Sequence, residues 1–277
     1  MAAKRTFPLL SERRPGLVEW MDRLDCDPVK LRNTYRYFPV INRLISRWNA
    51  VYRYQIRPML NNSRRYSLLD VGSGGGDITR SIHAWAASDG YQLDVTGIDP
   101  DPRAHEYAMN AVGSSDSRNN ARNVIGISES DHGGNQRGDD SIQAGALQFL
   151  RADTGQLRRD ARTFDFVICN HVLHHLSDES LPGFLDDLSA LADRRVVCSD
   201  IERSAIGYGL FSVATWPLFP NSFIRADGLI SIRKSYRAAE LREAAPSGWK
   251  VIRQFPFRLL LIFDKESISR QGGNQAG

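Results

Sequence analysis

Apolar residues recur along this chain at two periods, and their alternation is regular from residue 67 onward. SLLDVG (67–72), LDVTGID (93–99), LQFLRAD (147–153), FDFVICN (164–170) and RVVCSDI (195–201) are apolar runs of strand length. Helical spacing appears between them. DITRSIHAWAAS (77–88) carries Ile78, Ile82 and Trp85 on one face, and PRAHEYAMNAV (102–112) opens on Pro102. SDESLPGFLDDLSALAD (177–193) turns Leu181, Phe184, Leu185 and Leu188 inward. Strands alternating with helices predict a parallel sheet covered on both faces. Near the end, WKVIRQFP and FRLLLIFDK predict two adjacent strands reversing at Pro256, which adds antiparallel pairing.

Two stretches break the rhythm. Residues 113–146 are rich in Gly, Ser, Asn and Asp, with Val124, Ile125, Ile127 and Ile142 as their large apolar residues. Such a segment buries too little to order itself and is expected to be a flexible insertion. The tail 266–277 has the same character. Upstream, VINRLISRWNAVYRYQIR after Pro39 aligns Ile41, Leu44, Ile45, Trp48, Val51, Tyr52 and Ile56, with Arg43, Arg47, Arg53 and Arg57 over the rest. This predicts an amphipathic helix of about five turns, whose apolar stripe needs the main domain or a membrane surface as partner. The chain therefore divides into an N-terminal helical arm or lid (1–63), an α/β domain (64–265) carrying the insertion, and a loose tail.

Composition adds exclusions. With 42% hydrophobic and 25% charged residues the chain has the make-up of a soluble globular protein. Three scattered cysteines, Cys26, Cys169 and Cys198, make neither a disulfide framework nor a zinc site, and no metal is expected. No run approaches the ~20 apolar residues of a membrane span, and the basic start lacks an apolar signal region. A cytoplasmic location is the expectation. The net charge of +4 is unevenly spread: residues 1–66 hold 14 basic and 5 acidic side chains, residues 67–199 hold 11 and 20. Such asymmetry raises the question of an acidic or membrane partner without naming one.

The chemistry concentrates in LLDVGSGGGDITRSI. A strand ends at Val71, Gly72, Gly74 and Gly76 make the turn with Ser73 among them, and a helix begins near Asp77. Glycines there let the backbone turn sharply and let a ligand approach without meeting Cβ atoms. The dinucleotide fingerprint would need glycine where Asp77 stands, and the phosphate-binding loop would need a lysine that is absent. Asp70, just before the turn, suits a cationic ligand better than a pyrophosphate. Asp99, 23 residues past Gly76 and followed by Pro100, closes the second strand, where a carboxylate meets ribose hydroxyls. Asp153 ends the next strand and could accept from an adenine amino group. Asn170 and His171 emerge from the fourth at the ligand-binding edge. Taken singly, each has a bland reading: a tight strand–helix turn, or a helix cap at Asp99 and Asp153.

In this order and spacing the four pieces resemble the class I S-adenosylmethionine-dependent methyltransferases over roughly residues 64–265. Within them the chain is similar to bacterial small-molecule enzymes such as the quinone-biosynthesis methyltransferases. The resemblance implies a Rossmann-like seven-stranded sheet, mostly parallel with the last strand antiparallel, and S-adenosyl-L-methionine as cofactor. It implies that Asp70, Gly72, Gly74 and Gly76 hold the methionine part, Asp99 the ribose, and Asp153 with Thr154 the adenine edge. Asn170 would lie near the sulfonium.

Methyl transfer from a sulfonium is an in-line displacement that needs alignment, and an oxygen nucleophile also needs its proton removed. His175 is the first candidate base and His174 the second; packing or capping is the competing reading for both. Asn170-His171-Val172-Leu173 lacks the Asn/Asp-Pro-Pro-aromatic tetrapeptide of nucleic-acid amino methylation in this fold, so a nucleic-acid acceptor is disfavoured. The expectation is a small, apolar or aromatic acceptor walled by Tyr35, Phe38, Trp48 and Tyr52 and by Tyr208, Phe211, Trp216, Phe219 and Phe223. Arg225, Arg233 and Lys234 could meet an anionic acceptor, though a solvated basic face is the preferred reading. O-methylation of a phenolic or polyketide-like hydroxyl is the leading reading. C-methylation of a quinone precursor, a nucleic-acid methyltransferase or binder, and a catalytically silent cofactor-binding module are the alternatives. Peripheral membrane contact would run through the N-terminal helix.

Overall fold

Seven strands form one sheet in the order β3-β2-β1-β4-β5-β7-β6 in the computed structural model, which describes residues 10–112 and 145–265. They are β1 (Tyr66–Val71), β2 (Leu93–Ile98), β3 (Leu147–Leu150), β4 (Phe164–Asn170), β5 (Ala192–Ile201), β6 (Trp249–Gln254) and β7 (Arg258–Asp264). β7 enters between β5 and β6 and runs antiparallel to both, as expected for the last strand, while the other pairings are parallel. β4 is buried along nearly its whole length, which explains why FDFVICN is apolar without alternation. Cys169 pairs in register with Cys198 across β4 and β5; both are buried free thiols that pack as small hydrophobes. The insertion at 113–144 and the tail lie outside the described residues.

Helices cover both faces. On one, α6 (Leu181–Leu191) buries Leu181, Leu185 and Leu188 against β4 and β5, joined by α5 (Thr154–Arg159) and α9 (Ala238–Ala244). On the other, α3 (Asp77–Ser88) packs Ile78 and Ile82 against β1 and β2. A helix at 102–112, α4, follows β2. Two further helices, α7 (Ala205–Ala214) and α8 (Ile224–Lys234), rise between β5 and β6 at the carboxyl edge of the sheet.

The N-terminal helix departs from the expectation. α1 spans Pro28–Ile41, so helix begins eleven residues before Pro39 and that proline lies inside it. The start is set by Asp27, whose Oδ1 accepts from the Val29 and Lys30 amides at 2.8 and 3.2 Å, with Pro28 in the first turn. Near its end the chain widens into a π turn (Asn42–Ser46), breaks at Arg47 in the left-handed region (φ 49°), and restarts as α2 (Trp48–Val51) with a second π turn to Ile56. The break splits the apolar stripe. Trp48, Val51, Tyr52 and Ile56 join the core under β1 and β4, so the main domain is their partner and no membrane is needed. Ile41, Leu44 and Ile45 instead face a cavity. Among the described residues no helix is long and apolar enough to cross a membrane.

Because the arm and the sheet share one core, the division at residue 63 separates sequence patterns and not packing units. Trp48 is 2% exposed at that junction. Trp48→Ala is expected to cost roughly 3–5 kcal/mol in urea unfolding. A loss below about 1 kcal/mol would show that the arm is not part of the cooperative core.

Candidate active site

The turn after β1 is built for close approach. Gly72, Gly74 and Gly76 all have positive φ (69°, 53° and 73°), and the Gly72 and Ser73 amides donate to Ile98 O at 2.9 and 3.0 Å. A Cβ on Gly72 would sit 2.8 Å from Val172 Cγ2, whereas on Gly74 it would meet nothing within 4 Å. The first glycine is thus required by packing, and the second presents open backbone to the cavity. Asp99 braces the loop: Oδ2 accepts from the Gly74 amide and Oδ1 from the Asp101 amide, each at 2.9 Å.

Three carboxylates surround this loop. Asp70 is 1% exposed and accepts from Thr79 Oγ1 at 2.7 Å; burial, with Asp77 and Asp99 nearby, pushes its pKa to about 7. Burial also raises Asp77, which accepts from Asn42 Nδ2 at 2.9 Å, and Asp99. Charging all three together is costly, and a bound cation would relieve that cost. A ligand carrying an ammonium or a sulfonium fits this donor-poor, acceptor-rich end. Asp70, Gly72, Ser73, Gly74, Asp99, Pro100, Asn170 and His171 all line one cavity of about 740 Å³.

Asp153 and Thr154 do not reach it. Asp153 is exposed and caps α5, accepting from the Gln156 amide at 2.8 Å, while Thr154 Oγ1 donates to Asp187 at 3.0 Å. The capping reading accounts for Asp153, because β3 ends at Leu150 and the chain has turned away before it. Gly76 lies behind the loop, where a Cβ would meet the Phe149 ring at 2.5 Å.

Beyond the loop, Asn170 Oδ1 accepts from Arg258 Nη2 at 2.7 Å, and its Nδ2 donates to Asn42 Oδ1 at 3.3 Å. His171 has φ 60°, and its Nε2 accepts from Arg258 Nη1 at 2.9 Å. Burial and the Arg258 guanidinium hold its pKa well below the ordinary value, so the ring is neutral.

The far end of the cavity joins His174 and His175 to a segment that carries no motif. Residues 10–27 cross it as a strap, tied down by Arg13, which donates to the carbonyls of Lys234 and Leu176. The strap inserts Glu19, 4% exposed, between His174 and Lys234. His174 Nδ1 lies 2.8 Å from Asp200 Oδ1 and its Nε2 3.2 Å from Glu19 Oε1; the second approach is off the N–H direction and acts as an ion pair more than an aligned hydrogen bond. Burial alone would lower His174, but Asp200 and Glu19 raise it to about 9. Against their own burial, both carboxyls are held well below the carboxylate range by His174. The expectation of His174 as a base is therefore corrected: it enters as an imidazolium wedged between two carboxylates, with no lone pair to offer.

His175 differs. Its ring is open to the cavity, with the side chain 34% exposed, yet the enclosing protein and the neighbouring His174 charge lower its pKa to about 3, and its Nδ1 lies 2.9 Å from Lys234 Nζ. Lys234, read from sequence as part of a solvated face, is 2% exposed because it balances Glu19 at 3.2 Å. Asp22 and Asp227 complete this end. Burial raises both carboxyls, Asp227 to about 6, although Asp227 accepts from the Trp20 and Met21 amides at 2.7 and 3.0 Å.

Of the expected aromatic walls, Tyr35, Phe38, Phe211 and Phe219 line the cavity. Trp48 and Tyr52 are core, Phe223 packs with Leu31 and Ala104, and Trp216 is 77% exposed on the outside. Tyr208 is half-buried outside the lining.

The raised pKa of His174 has a definite sign. Its contribution to stability is complete below the ordinary value of 6.5 and is lost as pH rises through about 9. NMR titration of the ring is expected to show that midpoint, and Asp200→Asn should lower it while costing roughly 3–5 kcal/mol, as for a broken buried pair. A His174 midpoint near 6.5 in the wild type would contradict the arrangement.

A family profile described as Methyltransferase domain matches residues 34–251. No curated protein matches the chain. Among solved structures, the plantazolicin methyltransferase in complex with SAH aligns over 88% of this chain and 92% of its own, at 13% identity and a TM-score of 0.53. An O-methyltransferase family protein from Burkholderia thailandensis aligns over 84% of this chain and 59% of its own, at 11% identity and a TM-score of 0.50. Magnesium protoporphyrin IX methyltransferase from Synechocystis PCC 6803, with bound SAH, covers 78% of this chain and 80% of its own, at 18% identity and a TM-score of 0.41. At these identities the structural likeness concerns the fold. The family match runs from α1 into β6 and spans the whole cofactor loop, so the chain belongs to the class I S-adenosylmethionine-dependent methyltransferases.

Proposed function

We propose that the protein transfers a methyl group from S-adenosylmethionine to an oxygen of a small, apolar or aromatic acceptor. The carrying observation is that one cavity joins two unlike ends. The glycine loop with its three carboxylates lies at one, and Glu19 and His175, backed by the buried Lys234, at the other. Phe38, Ile41, Leu210, Phe211 and Phe219 form the apolar walls between them. Cavities of ~300–1,000 Å³ with apolar walls and a few polar groups are what small-molecule sites require.

When bound, the cofactor supplies a methyl already activated on a sulfonium. Asp70, Ser73, Gly74, Asp99 and Pro100 would hold it, with Asn170 fixed by Arg258 beside the reacting centre. The chain's other task is to orient the acceptor and receive its proton. His175 stays neutral near pH 7 and is the group we assign to that proton, received at Nδ1 once the Lys234 ammonium turns from that nitrogen to the acceptor oxygen. A weak base suffices, because a hydroxyl proton becomes strongly acidic as its oxygen gains the methyl carbon. The Lys234 ammonium, 2.9 Å from His175 Nδ1, would favour an acceptor oxygen that carries negative charge, as a phenol does when ionised.

Calorimetric titration tests the premise: S-adenosylmethionine and S-adenosylhomocysteine should both bind, and Asp99→Ala should weaken each at least tenfold, about 1.4 kcal/mol. Absence of binding to the wild type would remove the enzyme reading. Incubation with methyl-labelled cofactor and a panel of phenols, followed by NMR of the products, should place the label on oxygen; a carbon-bound label would favour a quinone precursor instead. His175→Ala should lower turnover roughly 10²-fold with unchanged cofactor affinity. Full activity would leave His175 a packing residue.

A further inference from the structure

The mouth of the cavity carries an apolar surface that runs on from its walls to the outside of the molecule. α7 has no charged residue, and it exposes Ile206 (69%), Leu210 (60%) and Val213 (76%) at i, i+4 and i+7, one face of a helix. Trp216 (77%) and Leu218 (60%) extend the stripe past its end. Across the opening, Val40 and Leu44 of the lid are exposed. Leu44 and Leu218 also line the cavity, and Tyr37 meets Phe219 with ring centroids 5.3 Å apart, so lid and α7 border one opening. Contiguous exposed apolar surface of this kind marks an interaction site.

Charge narrows the partner. Residues 28–69 hold nine Lys or Arg and no Asp or Glu, and residues 203–226 hold no Asp or Glu either. Arg36, Arg43 and Arg47 are exposed beside Val40 and Leu44, and the Arg225 guanidinium lies 5.1 Å from the Trp216 ring. A second copy meeting this face about a two-fold axis would bring the same arginines together. An anionic bilayer would not: it accepts an apolar stripe into its acyl boundary and the arginines among its headgroups. Ten residues of α7 span about 15 Å, half a bilayer core, so the helix lies in the surface and does not cross it.

We propose that α7 and the outer side of the lid form a docking surface for an anionic phospholipid membrane, with the cavity opening onto the bilayer. If the methyl-transfer reading holds, a lipophilic acceptor would then enter directly from the lipid. The docking itself does not depend on that reading.

Flotation of the full chain with vesicles tests it. Phosphatidylcholine vesicles containing phosphatidylglycerol should bind the protein, more weakly as salt rises, and phosphatidylcholine alone should bind it at least tenfold less. Val213→Asp with Trp216→Asp should reduce binding at least tenfold, and Arg36→Glu with Arg43→Glu should abolish the preference for the anionic lipid. None of these four residues lines the cavity, so S-adenosylhomocysteine affinity should remain unchanged and serves as the control for folding. As a second measurement, brominated lipids should quench tryptophan fluorescence of the wild type, and Trp216→Phe should remove most of that quenching. Wild-type protein that stays free of anionic vesicles would overturn the proposal. So would a wild-type dimer, seen by analytical ultracentrifugation, that Val213→Asp with Trp216→Asp converts to monomer. Failure of cofactor binding with vesicle binding intact would count against the methyl-transfer reading alone.

Discussion

Four segments of the chain meet in one buried charge cluster built on the His174 imidazolium and Glu19, and the far end of the cavity depends on it. Asp200 comes from the end of β5, His174 from the short turn after β4, Glu19 from the N-terminal strap and Lys234 from the end of α8. All four side chains are nearly inaccessible to water. No one of these charges is stable there alone, since an unpaired buried charge costs several kcal/mol. The strap can close over the cavity only because His174 and Lys234 neutralise Glu19. The same pairing turns Lys234 inward, where it meets His175.

The two ends of the cavity are electrostatic opposites in a useful sense. At the glycine loop, burial raises Asp70, Asp77 and Asp99, leaving acceptors in want of a cation. At the strap, Glu19 and Asp200 are already balanced by His174 and Lys234, leaving a neutral His175 beside an ammonium. Arg258, 1% exposed, links the halves by holding Asn170, His171 and Ser199 at the edge of the sheet. Under the proposed reading, a positively charged donor and an acceptor that sheds a proton would meet different surroundings within one cavity. Such prior arrangement is what an in-line transfer demands of a protein.

The apolar stripe of the N-terminal region divides between two uses. It is interrupted at Arg47, and the residues after the break pay into the core of the sheet. Those before it stay at the cavity, with their arginines outside. A continuous helix from Val40 to Arg57 would have presented a single face to a single partner. The left-handed residue and the π turns rotate the second half so that Trp48 reaches the sheet while Leu44 remains at the mouth.

Much of this was legible in the residues themselves. Strand positions followed from apolar runs, because a sheet covered on both faces demands them, and β4 was read with its observed limits. The glycine turn and Asp99 were legible because backbone geometry and a strand-end carboxylate are local matters. Asp153 stands at the expected place in the chain, yet its local helix cap claims the side chain. Glu19, Asp200 and Arg258 left no signal, and Lys234 none that it is buried: single charged residues in polar or apolar context look like surface until partners from other segments, 26 to 215 residues away, are brought to them. Local sequence determined the elements and the turn, since propensity, periodicity and glycine act over a few residues. Tertiary structure alone decided which charges are buried together, which histidine is charged, and which half of the apolar stripe meets solvent. Those outcomes are set by desolvation and pairing across the fold.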